Sequence, residues 1–125
     1  MPFEDYNPTV MDHFLNPRNT GELPDATHRS LVRNPACGDM VKLTLRVDAA
    51  GIIRDARAKT FGCAAAIASS SALTELLKGR TVQDARRIRN ADVVAFLGGL
   101  PEHKVICSVV AEEAIREALK EGPGA

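Results

Sequence analysis

The stretch "MVKLTLRVDAAGIIRDARAKTFGCAAAIASSSALTELLKG", Met40 to Gly79, changes its period partway along. Through "MVKLTLRVD" apolar and polar residues alternate, which places Val41, Leu43, Leu45 and Val47 inward and Lys42, Thr44 and Arg46 outward. Alternation of this kind marks a half-buried strand. "AAG" reads as a turn, and "IIRDARAKTFG" as a partner strand with a less regular inner set, Ile53, Ala56 and Ala58. The two strands are expected to form an antiparallel hairpin. After Gly62 the alternation stops. "CAAAIASSSALTELLKG" is rich in helix formers and closes on Gly79, a residue type favoured just past a helix end.

Upstream, "VMDHFLNPRNTG" predicts a helix with Val10, Met11, Phe14 and Leu15 on one face, ended by Pro17 and Gly21. "ELPDATHRSLVRNPACGD" reads as loop with a short strand over Arg29 to Arg33. Downstream, "TVQDARRIRNADVVAFLGG" predicts two short helices with Thr81 and Asn90 as N-caps. "LPEHKVI" is expected to be a loop. A last helix is expected from about Cys107 to Glu121, with an apolar stripe of Val110, Ala111, Ala114, Ile115, Ala118 and Leu119. Strands precede helices, so the class is α+β. The 125 residues fit one domain, drawn here as 1–121 with a flexible tail at 122–125.

Sixteen basic and sixteen acidic residues leave no net charge, and only five aromatics are present. Nucleic-acid binding, which calls for a basic surface or stacking platforms, is not expected. No apolar run approaches a membrane span, and "MPFEDYNPTV" has no secretory pattern. The expected compartment is the cytoplasm, where thiols stay reduced.

The chain holds three cysteines, Cys37, Cys63 and Cys107, without a C-x-x-C pair. An odd, widely spaced set argues against a disulfide framework. Each lies at a predicted junction: Cys37 in "PACGD" before the first clear strand, Cys63 between strand and helix, Cys107 between loop and helix. At a helix N-terminus the dipole favours an anion, and the thiolate is the form that ligates metal or attacks sulfur. Asp39 follows Cys37 by two positions, so in extended backbone both side chains face the same way. Three thiolates and a carboxylate make a donor set that iron or zinc accepts. Each cysteine alone is equally consistent with a small buried hydrophobe.

"PACGDMVKL", "DARAKTFGCAAAIASSSALTELLKG", "CSVVAEEAIREAL" and "VMDHFLNPRNTG" together resemble the iron–sulfur cluster assembly scaffolds of the IscU type and the N-terminal domain of NifU. The resemblance implies a small three-stranded sheet packed against helices. It implies assembly of a [2Fe–2S] cluster from iron and persulfide sulfur, with a cysteine desulfurase as sulfur donor and apoproteins or cluster carriers as recipients. It places the cluster on Cys37, Cys63 and Cys107, with Asp39 as the carboxylate that keeps it labile. Cys107 is the expected acceptor of persulfide sulfur. Hard oxygen is a poorer partner for such a cluster than thiolate, as a carrier that must release its cargo requires.

Two departures stand out. The family usually has a histidine before its third cysteine, and this chain has Ile106, which has no donor atom. His103, four residues before Cys107, is a candidate substitute; Asp39 is the better fourth ligand. A SufU-related branch also lacks that histidine and relays sulfur through a zinc site, but this chain lacks that branch's insertion between Cys63 and Cys107. The second departure is "LPEHK", Leu100 to Lys104, in place of the "LPPVK" that an Hsp70-type chaperone recognises, so chaperone binding is not expected. His13 and His28 read as solvated or capping residues. Lys104 reads as a charge near Cys107 or as a solvated side chain, and Arg86, Arg87 and Arg89 as a solvated cluster or a desulfurase docking surface. Three functions remain open: a cluster scaffold, a zinc-bound sulfurtransferase, or an adaptor that has lost its site.

Overall fold

In the computed structural model, which describes residues 6–34 and 38–120, three strands form one antiparallel sheet. They are β1 (His28–Asn34), β2 (Asp39–Val47) and β3 (Ile53–Phe61), with β2 in the centre. The helices are α1 (Pro8–Leu15), α2 (Ala64–Leu77), α3 (Val82–Ala85), α4 (Asn90–Phe96) and α5 (Val105–Leu119), the last preceded by a 3₁₀ turn at Glu102–Lys104. The predicted α+β class, hairpin and central helix are all present.

Val41, Leu43 and Leu45 of β2 and Ile53 of β3 are fully buried beneath α2 and α5. Each contributes on the order of 1.5–3 kcal/mol of burial free energy. The uneven spacing of Ile53, Ala56 and Ala58 has a cause: the β2–β3 register shifts between Arg46 and Val47. An extra residue of this kind breaks strict alternation, and Val47 is only half-buried beside it. Thr44 departs from its expected outward exposure. The segment around Leu23 covers that face, Thr44 Oγ1 accepts the Leu23 N–H at 3.0 Å, and Thr44 is fully buried.

α2 is apolar or small on nearly every side because neighbours surround it: β3 beneath, α1, α4 and α5 around. Its alanines and serines allow this close approach. Gly79, at φ +86°, stops it as expected, and its N–H bonds the Ile53 carbonyl at 2.9 Å. In α1 Val10 is buried and Met11 and Phe14 pack half-buried against the core, as expected, while Leu15 is exposed and His13 is buried in its stead. Thr81 caps α3, accepting the Asp84 N–H at 3.1 Å. Arg89, not Asn90, is the N-cap of α4, where Asp92 accepts the Arg89 N–H at 2.8 Å. Glu121 and the tail at 122–125 lie outside the described residues. Among the described residues no helix is long and apolar enough to cross a membrane.

Candidate metal centre

One end of the sheet gathers the chemistry. Asp39 opens β2, and the end of β3 leads through Gly62 to Cys63, the N-cap of α2. Cys63 has extended backbone and its side chain makes no capping bond. Asp39 supplies the cap from another element: its Oδ1 accepts the Cys63 N–H at 3.0 Å. The other oxygen, Oδ2, lies 3.6 Å from Cys63 Sγ and accepts the thiol hydrogen.

Cys107 stands in the first turn of α5, two residues later in the helix than expected, because the 3₁₀ turn runs directly into Val105. Asn34, at the end of β1, donates from Nδ2 to the Ile106 carbonyl at 3.0 Å. Its own carbonyl accepts the Gly38 N–H at 2.7 Å, closing the connection from β1 to β2, where Asn34 pairs with Asp39. Asn34 thereby ties the first turn of α5 to Gly38, just before β2. Ser108 Oγ, close to Asn90 Oδ1, fixes the same turn against α4.

A carboxylate oxygen of Asp39 and the sulfurs of Cys63 and Cys107 all lie within 4.8 Å of one another. Asp39 is 2% exposed and Cys107 3%, whereas Cys63 is half-buried, so the group opens to solvent on the Cys63 side. Two helix N-termini converge there, and both favour anionic donors. Two soft sulfurs and one hard oxygen at this separation suit a borderline cation such as iron or zinc. Cys37 lies outside the described residues.

Among the described residues His103 does not join this group; it is exposed on the 3₁₀ turn. Ile106 is 51% exposed, and Phe61, two residues before Cys63, is also exposed. The side chain of Ile106 faces outward, and it is the carbonyl that serves the site, as the acceptor for Asn34.

Both other histidines are buried, against expectation. His13 Nδ1 lies 2.7 Å from Ser71 Oγ of α2, which also accepts the Arg18 N–H at 2.9 Å. His28 is the first residue of β1 rather than a loop residue, and its Nδ1 meets Thr27 Oγ1 at 2.9 Å. Burial holds the pKa of each below its ordinary value, with Arg18 acting further on His13 and Arg86 on His28. Arg86 donates to the Leu119 carbonyl at 2.9 Å, so it anchors α5 rather than standing in a wholly solvated cluster. Gly62 and Asn34 were not singled out by the sequence. The only signal for Gly62 was its place before Cys63.

Comparison with known proteins identifies the family. Residues 5–124 match the model of the NifU-like N terminal domain. The iron-sulfur cluster assembly scaffold protein IscU of Azotobacter vinelandii is 47% identical over 120 residues, covering 93% of this chain and 92% of that protein. The mitochondrial iron sulfur cluster assembly protein 1 of Kluyveromyces lactis is 47% identical over 120 residues, and this chain spans 66% of its length. The fold is shared with a NifU-like protein (N-terminal) from Brucella abortus, at a TM-score of 0.61 and 22% identity, covering 94% of this chain and 85% of that one. With the motifs, the three-stranded sheet and the matched span in agreement, this chain belongs to the NifU-like N-terminal domain family, the family of the IscU scaffolds.

Proposed function

We propose that the protein is a scaffold on which an iron–sulfur cluster is assembled and from which it is passed to recipient proteins. The observation that carries this is the convergence of Asp39, Cys63 and Cys107 from three separate elements onto one point. That convergence also argues against an adaptor that has lost its site. Cys37 completes the set; two residues of chain hold it within about 7 Å of Asp39, Cα to Cα. The cargo is a [2Fe–2S] cluster, for which three thiolates and one carboxylate oxygen supply four ligands. Zinc takes the same donors in their resting state. The family resemblance supports a cysteine desulfurase as sulfur source and apoproteins or carriers as recipients, in the cytoplasm.

Sulfur enters as the outer atom of a donor persulfide. A thiolate of this chain attacks that atom, the donor's S–S bond breaks, and the donor leaves as a thiolate. Cys107 is the proposed acceptor, and since it is 3% exposed the chain around it must move to admit the donor. Cys63 is a second acceptor, favoured by its exposure at the mouth of the group. No role for an Hsp70-type chaperone is proposed, since Glu102 and His103 are both exposed on that turn in place of the recognised residues.

Anaerobic reconstitution with ferrous iron, cysteine, a desulfurase and a thiol reductant that brings persulfide sulfur to sulfide, followed by visible absorption, tests the reading. A cluster spectrum is expected from the native chain, with loss in Cys63→Ser and Cys107→Ser. Equal spectra from native chain and variants would overturn it.

A further inference from the structure

Gly62 sits between β3 and the N-cap of α2, exposed to solvent, and its backbone φ is outside the left-handed region. An alanine is therefore conformationally acceptable there. What a side chain would meet is Asp39: a Cβ built on Gly62 lies 2.3 Å from Oδ1, 2.7 Å from Cγ and 2.9 Å from Cβ of that residue. Carbon and oxygen do not approach so closely, so one of the two residues must move. Asp39 has little room to move, since it is 2% exposed and its Oδ1 is already bonded to the Cys63 N–H.

We propose that Gly62 is a positioning residue for the metal centre: its missing side chain lets the Asp39 carboxylate lie flat against the β3–α2 junction. In that pose one oxygen caps α2 and the other, Oδ2, faces Cys63 Sγ as a one-oxygen ligand. The two oxygens are thus divided between the fold and the metal. A side chain at position 62 displaces the carboxylate, breaks the Cys63 N–H bond and swings Oδ2 away from the sulfurs. This rests on the ligand set proposed above. It adds that the fourth ligand of this chain is held by a residue with no donor atom. With Ile106 unable to ligate, there is no neighbouring imidazole to take over.

The test is a titration with cobalt(II) under anaerobic conditions on four chains: native, Gly62→Ala, Asp39→Ala and the double variant. The thiolate-to-cobalt charge-transfer band gives the affinity and reports sulfur ligation directly. Gly62→Ala is expected to weaken binding by roughly 10–100-fold, the range typical for losing a group that orients a ligand. Asp39→Ala should weaken it at least as much, and the double variant should bind within about threefold of Asp39→Ala alone, since the two changes act through one carboxylate. A purely structural glycine would instead produce the same further loss in the Asp39→Ala background, which would overturn the proposal, as would native affinity in Gly62→Ala. If Gly62→Ala fails to fold, the double variant should recover the fold because the contacts at 2.3 Å with Oδ1 and 2.7 Å with Cγ are gone and only the 2.9 Å contact with Cβ is left to relax; an equally unfolded double variant would overturn the proposal. A native chain that binds no cobalt, or Asp39→Ala with native affinity, would overturn the ligand set itself and this inference with it.

Discussion

Asp39 carries more than one task at atomic scale. A buried carboxylate is costly unless its oxygens are bonded, and one is satisfied by the Cys63 N–H while the other faces a thiol. The division explains how the proposed hard ligand is held beside soft ones with no salt bridge to it among the described residues. Ile106 poses the complementary case. Its side chain is about half exposed and has no donor atom. Ile106→His places an imidazole on the rim next to Cys107, and metal retention is expected to tighten by about tenfold. Competition with a zinc chelator measures this, and unchanged retention would show that position 106 lies out of reach of the metal. Asn34→Ala removes the amide that holds the Ile106 carbonyl. The expected cost is about 1–2 kcal/mol of stability, read from urea unfolding.

At the level of elements, the strands and the central helix were readable because their burial is decided locally. Alternation in β2 and the run of small residues in α2 each have one physical reading. Gly79 shows the same at a single position: the helix must stop there, and its φ of +86° suits only glycine. Gly79→Ala should therefore lower stability by about 1–2 kcal/mol, measured by thermal or urea unfolding, with metal binding unchanged. Features set by distant chain were not readable. Thr44 looks like a surface residue until the segment at Leu23 lies over it. His13 looks solvated until α1 packs on α2 and brings Ser71 to its ring, across 58 positions of sequence. The junction cysteines were visible as junction residues, but their meeting point depends on three elements at once. Gly62 was invisible because its role is defined by the absence of atoms next to a residue on another strand.

Across the whole molecule, the two buried histidines make stability depend on pH. Each has its folded pKa depressed by burial, below the ordinary value of 6.5 that applies when unfolded. Between those values the unfolded chain binds more protons, so folding loses stability as pH falls. Stability from these groups is full above the unfolded value and declines as pH drops through it toward the folded values. Urea midpoints should fall between about pH 7.5 and about pH 5.5, and a His13→Gln, His28→Gln double variant should show a shallower decline. An equal slope in both chains would remove the histidines as the cause. The sheet and helices also do something together that none does alone: they bring the start of β2, the end of β3 and the start of α5 to one end of the fold. X-ray absorption at the zinc edge of the zinc-loaded chain tests that convergence most directly. Three sulfurs at about 2.3 Å and one oxygen are expected at each zinc. A shell with one sulfur or none would contradict a shared centre.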